Sequence, residues 1–329
     1  MGTRRRFIQG LGASLLIAPG TARFAHAQAW SPTRPIKIVI PTSPGSTMDT
    51  IARLVAQKVG ESIGQPVFAE TQAGANGRIG ADHVAHAAPD GHTLMINSPS
   101  TTVVASFLTK NLPFDAYKDF TPITAAADPV TCLAVHPSVP ASTLQEFVAW
   151  AKKNPGRVTL GTSGVGGVFH LLGEIFKREA GVETTHVPYK GVAPAVAATV
   201  QGEVNFTFSA VNNIIPHWKA GKLRVLTVLY PTRYPEMPTV PAVTEIYPNM
   251  VRPASWFGFF GPANLPAPVL VRLNAELVKA LRSPDVRQRV EAGGSVLIAN
   301  SPQEFAAMFK ESFAIYGRLV KEAGLKPEE

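Results

Sequence analysis

The sequence predicts an α/β fold of two doubly wound lobes. Three observations favour it: short apolar strands alternate with amphipathic helices, the alternation starts again after Pro122, and 329 residues is long for a single hydrophobic core. Such alternation is typical of a parallel sheet with helices on both faces, rather than of a sandwich of two sheets. We therefore expect each half of the chain to form a parallel sheet.

The first predicted unit is a strand over Ile36–Ile40, a turn of small and polar residues, and a helix that begins near Ser46 or Thr47. Apolar residues within 51–59 recur at helical spacing, and Asp49 lies in the first turn, where the helix dipole favours an acid. The free backbone N–H groups at such a helix start bind anions without a cationic side chain. Taken alone, this segment favours an ordinary strand–helix corner over an anion site.

The same criteria predict the remaining elements. Strands are expected near 66–70, 93–97, 131–135, 158–161, 204–208, 223–229 and 255–260, and helices near 79–87, 143–153, 168–180, 194–200, 268–281 and 284–290, with a last helix from 302. Residues 98–102 are expected to form a polar loop. Ser142 with Gln145, and Ser301 with Glu304, predict capping boxes. The Pro-rich stretch 231–253 is expected to be irregular and to return the chain to the first lobe.

A second unit of the same kind is predicted after the midpoint of the chain. The strand over 158–161 leads into the Gly-rich turn Thr162–Gly167 and a helix that Gly181 ends. Ligands of open α/β sheets bind beyond the carboxyl ends of the strands. If the two lobes face each other, both sets of N–H donors converge on one cleft, which suits a carboxylate held by amides, hydroxyls and waters.

The N-terminus is predicted to be an export signal over residues 1–27. Arg4–Arg6 precede the apolar run Leu11–Ala18, and Ala25–Ala27 has the A-x-A pattern of a cleavage site. The paired arginines favour a twin-arginine signal, with a general secretory signal as the alternative. Either route exports the chain to the periplasm.

Composition excludes several classes of partner. Without the four arginines of residues 1–27, 27 basic residues face 23 acidic ones, and no Lys/Arg run of the kind that binds nucleic acid is present. After the export signal, no apolar run is long enough for a membrane helix. Cys132 is the only cysteine, so no internal disulfide is possible, and its apolar neighbours predict a core thiol.

An enzyme is the main alternative. Gly161–Val165 nearly forms the G-x-S-x-G elbow of hydrolases, but Val165 stands at the second glycine. A hydrolase that uses Ser163 and His170 is the alternative function. His170 can equally point at a bound anion or bond to the local backbone. Nucleotide-binding glycine motifs are absent from the sequence. His83 and His86 lack the companion ligands of a metal site, so we expect no metal. The failed elbow and the absence of an obvious orienting acid argue against catalysis, and we expect no cofactor.

Short segments spread over most of the chain resemble one known family. They are PIKIVIP at 35–41, AGANGRIGA at 73–81, APDGHTL at 88–94, HVPYKG at 186–191, AGKLR at 220–224, SWFG at 255–258, APV at 267–269 and RLN at 272–274. In this order they are similar to the periplasmic solute-binding proteins of tripartite tricarboxylate transporters, often called the Bug family.

The resemblance implies a type II periplasmic binding protein: two doubly wound lobes joined by a hinge that the chain crosses near residue 130 and again near 254. Lobe 1 would contain residues 30–129 and 254–329, and lobe 2 residues 130–253. It also implies a small organic carboxylate held in the cleft and delivered to a membrane permease of two subunits. The alternative partner is a sensor protein in place of the permease. We expect a monomer that binds no nucleic acid.

The resemblance also places ligand contacts in loops at the cleft. They are Ser43, Gly45, Ser46, Thr47 and Asp49 in the first loop, Ser98, Ser100 and Thr101 after the third strand, and Thr162, Ser163, Gly164, Gly166 and His170 in the second-lobe loop.

Two positions depart from the family pattern. The first loop usually reads P-P-G-G, whereas this chain has Ser43–Ser46, so the Ser46 hydroxyl replaces a bare glycine. Where the family often has an aspartate suited to a ligand amine, this chain has Ser209, a further expected ligand contact, with Asn212 and Asn213 close after it. An ammonium group would lack its charged partner there, so we expect a carboxylate ligand without an amine.

Overall fold

A computed structural model of the chain describes residues 30–42, 44–165, 167–248, 255–322 and 324–327. The predicted export signal and its cleavage site lie outside the described residues. So do Ser43 and Gly166 of the two expected ligand loops, and the predicted second hinge crossing near residue 254.

The described residues form two sheets with helices around them. The strands are β1 (Ile36–Ile40), β2 (Val67–Thr71), β3 (Thr93–Asn97), β4 (Phe120–Pro129), β5 (Thr131–Val135), β6 (Thr159–Thr162), β7 (Thr185–Pro188), β8 (Phe206–Ala210), β9 (Arg224–Leu229), β10 (Phe257–Pro262) and β11 (Ser295–Leu297). The first sheet has the order β11-β4-β10-β3-β1-β2, and the second has the order β7-β6-β8-β5-β9.

The helices connect and cover these strands. They are α1 (Thr47–Ile63), α2 (Arg78–Ala85), α3 (Ala105–Leu108), α4 (Leu144–Lys153), α5 (Val168–Ala180), α6 (Val192–Gln201), α7 (Val211–Lys219), α8 (Ala267–Leu281), α9 (Pro284–Ala292) and α10 (Pro302–Glu322). Short 3-10 turns lie at Ala75–Gly77 and Val243–Glu245. None of the helices described has both the length and the apolar character that a membrane span requires.

Both faces of each sheet carry a buried apolar layer. In β1, Ile36 and Ile40 belong to a cluster with residues of α1 and α8, whereas Val39 belongs to a cluster with residues of α2. In β5, Leu133 clusters with residues of α4 and α5, and Cys132 with residues of α7. Successive residues of a strand face opposite sides of its sheet, so the doubly wound prediction is confirmed.

The expectation of purely parallel sheets is wrong. β10 runs antiparallel to β3 and β4, and β5 runs antiparallel to β8 and β9, while β1–β2, β1–β3, β6–β7 and β6–β8 are parallel pairs. The reason is the passage between sheets. β4 leaves the first sheet towards β5, and β10 is the strand that enters the first sheet after the second one is complete, so the two run in opposite directions.

Val130 connects the two sheets, since β4 ends at Pro129 and β5 begins at Thr131. Its N–H donates to the carbonyl of Gly294 at 3.0 Å, and its carbonyl accepts from the N–H of Val211 at 2.9 Å. Val130 is fully buried. The chain therefore passes from sheet to sheet through a strand-like segment that is bonded to both sides.

Several local predictions need correction. α4 is capped one residue later than expected, because the Thr143 hydroxyl accepts from the N–H of Glu146 at 3.1 Å while the Glu146 carboxylate accepts from the N–H of Thr143 at 3.3 Å. The expected Ser142–Gln145 box is wrong. The Ser301–Glu304 box at the start of α10 is confirmed. Residues 98–102 are not simply a loop, since Ser100–Val104 forms a π-helical turn that continues into α3.

Candidate functional site

The first loop, residues 41–46, joins β1 to α1. Gly45 has a φ of +80°, a conformation that favours glycine, and turns the chain into the helix. The Ser46 hydroxyl caps α1 by accepting from the N–H of Asp49 at 3.1 Å. It also lies 2.8 Å from the Thr42 hydroxyl. Ser46, the departure from the family pattern, thus forms the helix cap.

Asp49 holds this loop from inside. It is 6% exposed, and one carboxylate oxygen accepts from the N–H of Gly45 at 2.9 Å. The other oxygen accepts from Nε of Arg53 at 2.8 Å. Both oxygens are therefore engaged with their own loop and helix, and the charge of Asp49 is balanced by Arg53.

The turns after β2 and β3 meet the first loop at the carboxyl edge of the first sheet. Gly77 has a φ of +87°, and a Cβ there would lie 2.8 Å from the Thr101 hydroxyl and 3.0 Å from the Pro41 carbonyl oxygen. Thr101 is buried, whereas Ser100 is exposed, and the Ser98 carbonyl accepts from the Thr102 hydroxyl at 3.1 Å. The close packing at Gly77 therefore brings the first loop and the turn after β3 together.

The second loop, residues 163–167, joins β6 to α5 and is organised by Thr162. The Thr162 hydroxyl lies 2.6 Å from Nε2 of His186 and accepts from the N–H of Gly164 at 3.3 Å. The Thr162 carbonyl accepts from the N–H of Tyr189 at 2.9 Å. Thr162 is almost fully buried, and its hydrogen bonds connect the second loop to the neighbouring strand β7.

Two imidazole rings lie behind this loop. The rings of His170 and His186 are stacked, with centroids 3.9 Å apart and planes 11° from parallel. Nε2 of His170 lies 3.9 Å from a carboxylate oxygen of Glu174. The pKa of His186 is lowered to about 4, first because burial penalises its charged form and second because of the neighbouring His170. His186 is therefore neutral around pH 7.

The start of α5 differs from that of α1. Among the residues that the structure describes, no side chain caps α5, whose first flanking residue is Gly167. A Cβ at Gly167 would lie 3.5 Å from the Ser163 hydroxyl, so Ser163 lies directly beside this helix start. The N–H groups of the first turn of α5 are thus available to an anion.

The two sheets approach each other at Thr47 and Asn212. Nδ2 of Asn212, in the first turn of α7, donates to the Thr47 hydroxyl, in the first turn of α1, at 3.0 Å. Ser209 is fully buried at the end of β8, and its hydroxyl accepts from Nδ2 of Asn213 at 3.3 Å. The carboxyl ends of β1 and β8 therefore face a common region.

Sequence reasoning missed four contributors to this region: Thr42, Gly77, His186 and Asn212. Gly77 lies in one of the segments that resemble the family, but only the fold shows its contacts and those of Thr42. His186 belongs to the segment HVPYKG. Its directly paired residue on β6 is Leu160, so the sequence does not indicate that its ring contacts Thr162.

The chemistry of the region is that of neutral donors. Hydroxyls, backbone N–H groups and amides dominate it, and Asp49 is already paired with Arg53. Within the described part of the chain, no group of three or more His, Cys, Asp or Glu side chains is placed to hold a metal ion. Cys132 is buried in β5, and burial raises the pKa of its thiol, so the predicted core thiol is confirmed.

Comparison with known proteins identifies the family. The family model described as tripartite tricarboxylate transporter family receptor matches residues 51–325. A UPF0065 protein in the tcbD-tcbE intergenic region of Pseudomonas sp. strain P51 is 34% identical over 99% of this chain and 96% of its own length.

Two solved structures from Rhodopseudomonas palustris have the same fold. One, with adipate, is 30% identical, with a TM-score of 0.82 and coverage of 90% of this chain and 99% of its own. The other, MatC with bound malate, is 30% identical, with a TM-score of 0.77 and coverage of 88% and 99%. With its two doubly wound sheets and a family match over most of its length, this chain belongs to the receptors of the tripartite tricarboxylate transporter family.

Proposed function

We propose that this chain is a periplasmic receptor that binds a small organic carboxylate without an amine between its two lobes and delivers it to a membrane permease of two subunits. The observation that carries the proposal is the pair of strand–helix loops, one at each sheet, that offer neutral donors towards one region. The Asn212–Thr47 bond, which joins the starts of α7 and α1 across that region, supports it.

The donor chemistry supports a carboxylate. The uncapped start of α5 offers N–H groups, and the Ser163 hydroxyl lies beside them. Backbone N–H groups at a helix start bind anions well because the helix dipole adds to their hydrogen bonds. Two relatives that are 30% identical were solved with dicarboxylates, adipate and malate.

The absence of an amine on the ligand is argued from two residues. Ser209 stands where the family often has an aspartate, and its hydroxyl already accepts from Asn213. Asp49 has both oxygens bonded within its own loop and helix. An ammonium group bound between these residues would lack a free carboxylate partner, and ammonium–carboxylate bonds are about twice as strong as neutral ones.

The proposed ligand contacts remain those of the sequence analysis, with one change of role. Asp49 would position the first loop instead of touching the ligand, because a carboxylate ligand would be repelled by its charge. Ser46 would offer a hydroxyl whose oxygen already accepts from Asp49, and Thr47 would lie at the floor of the cleft.

We further propose that each sheet moves as one lobe, residues 30–129 with 254–329 and residues 130–253. Closure would turn about Val130 and the second crossing, as in hinge-type binding proteins. Removal of residues 1–27 on export by the twin-arginine route, and action as a monomer, belong to the same proposal.

Thermal denaturation against a ligand panel tests this function. A ligand at about a hundred times its dissociation constant adds about 2.7 kcal/mol to the free energy of unfolding. For a chain of this size the melting temperature should then rise by about 2 °C or more. The panel contains di- and tricarboxylates, hydroxy acids, aromatic acids and amino acids. No shift with any carboxylate contradicts the ligand class, and tight binding of amino acids alone contradicts the absence of an amine.

Recovery of the ligand separates a receptor from an enzyme. A binding ligand incubated with excess protein should be recovered unchanged, as measured by NMR. Conversion of the ligand would contradict the receptor function and favour a hydrolase built on Ser163 and His170.

A further inference from the structure

Asn212 has an unusual place between the two sheets. It follows the carboxyl end of β8, and its Nδ2 donates to the hydroxyl of Thr47, the first residue of α1, at 3.0 Å. The two residues are 165 positions apart in the chain. One side of the Asn212 amide is therefore used to join the second sheet to the first loop of the first sheet.

The other side of this amide is unsatisfied. Oδ1 of Asn212 is buried and has no hydrogen-bond partner among the residues that the structure describes. Buried acceptors in native proteins almost always have a partner, and an isolated exception calls for a ligand or a water molecule. The Thr47 hydroxyl pairs with the Nδ2 end of the planar amide, so the opposite end is left without a partner.

The backbone of Asn212 is fixed by the crossing between the sheets. The N–H of Val211 donates to the carbonyl of Val130. A Cβ at Gly294, which has a φ of +76°, would lie 2.5 Å from Cγ2 of Val211 and 2.9 Å from the Asn212 nitrogen. This close packing leaves little freedom to move the acceptor, so what pairs with Oδ1 must come to it.

We propose that Asn212 determines ligand specificity by accepting a hydrogen bond from a hydroxyl group of the bound carboxylate, so that the preferred ligands are hydroxycarboxylates. This inference rests on the proposed function. A hydroxyl is favoured over an ammonium group because the acceptor is a neutral amide, and the carboxylate of Asp49 is engaged with Gly45 and Arg53. A hydrocarbon at this place leaves the buried acceptor unpaired, which costs binding energy.

The test uses sets of three ligands that differ at one substituent. They are L-malate, succinate and L-aspartate; lactate, propionate and alanine; mandelate, phenylacetate and phenylglycine; and 3-hydroxybutyrate, butyrate and 3-aminobutyrate. Titration calorimetry on the purified protein gives a dissociation constant for each. In every set that binds, the hydroxy acid should bind about tenfold more tightly than its deoxy partner and more tightly than the amino acid.

Three variants connect this preference to Asn212. Asn212→Leu removes the acceptor and should bring the ratio between hydroxy and deoxy acid to about one. Asn212→Asp adds a charge and should move the preference towards the amino acid. Thr47→Val releases the Asn212 amide, so it should also move the ratio towards one. Asn213→Leu, the same kind of change at the exposed neighbouring asparagine, is the matched control and should leave the ratio intact.

The outcomes separate this inference from the proposed function. Equal binding of hydroxy and deoxy acids, or an unchanged ratio in Asn212→Leu, overturns the role of Asn212 and leaves a water molecule as the partner of Oδ1. If no carboxylate binds the unmodified protein, the proposed function fails first, and this inference fails with it. Melting temperatures of the unliganded variants report folding, and Asn212→Ala, which also lacks the acceptor, replaces Asn212→Leu if the latter does not fold.

Discussion

The first and second loops make the same strand-to-helix turn with different chemistry. In the first loop a serine caps the helix, and a buried aspartate bonds both a backbone N–H and an arginine. In the second loop a threonine and two stacked imidazoles hold the turn, and within the described residues no side chain caps the helix.

This difference gives the two loops different roles in stability and ligand binding. In the first loop, Ser46 and the Asp49 carboxylate already bond the N–H groups of Asp49 and Gly45, so the turn is stable without a ligand. In the second loop, the N–H groups at the start of α5 are not bonded by a capping side chain and can bind a ligand. We therefore expect changes in the first loop to act mainly on stability, and changes in the second loop to lower ligand affinity as well as stability.

The largest effect is expected for Thr162→Val. It removes the buried hydroxyl that bonds Nε2 of His186 and the N–H of Gly164, leaving both groups without this partner. The free energy of unfolding should fall by about 2–3 kcal/mol, and ligand affinity should fall more than tenfold. Denaturant unfolding and calorimetry measure the two effects. Thr185→Val, on exposed β7, is the matched control, and equal effects of both variants would contradict the role of Thr162.

Asp49→Asn should destabilise the protein with less effect on binding. The variant weakens the bonds to Gly45 and Arg53, and hydrogen bonds to charged groups contribute about 1.5–3 kcal/mol each. Since Arg53 is half-exposed, we expect a loss of about 1.5–2 kcal/mol. Asp82→Asn, at an exposed carboxylate whose oxygen lies 3.2 Å from Nδ1 of His86, is the control. A fall in affinity larger than that of Thr162→Val would reverse the division between the loops.

Ser46 gives a smaller and graded effect. Ser46→Ala removes the cap of α1 and should cost about 1 kcal/mol of stability, whereas Ser46→Gly, which restores the family residue, should cost only a few tenths. Thermal unfolding measures both variants. A greater loss for glycine than for alanine would show that Ser46 is not acting as a cap.

The smallest expected effect is a pH dependence from His186. Its pKa is about 4 in the folded protein, below the ordinary 6.5, so the unfolded chain binds the proton more readily. The free energy of unfolding should therefore fall as pH decreases from about 6.5 to about 4, and level off on either side. The ring is only half-buried, so solvent screens the effect. His186→Gln should show a shallower slope in this window, and an identical slope would exclude His186 as the source.

Local signals predicted the first loop well. Strand Ile36–Ile40 and a helix start at Ser46 and Thr47 are confirmed, because period and capping are properties of neighbouring residues. β4 was missed because Pro122, Pro129 and three alanines disfavour a strand, and only pairing with β10 and β11 forms it. α7 was missed because it contains Pro216 and two asparagines.

The contacts that shape the candidate site could not be predicted at all. Asn212 and Thr47 are 165 positions apart, and Thr162 and His186 are 24 apart on neighbouring strands. No periodicity connects such pairs, since their distance depends on how the sheets are placed. The chemistry of each loop was readable from sequence, but the partners that hold each loop were not.

The burial of Cys132 makes the protein suitable as an optical sensor. Its thiol lies in the core of the second sheet, and its raised pKa keeps it in the unreactive protonated form. A cysteine introduced at Val165, an exposed position on the second loop, would thus react alone with a maleimide dye. The fluorescence of that dye would then change with the surroundings of the loop. It would report ligand binding without a coupled enzyme assay and without a label on the ligand.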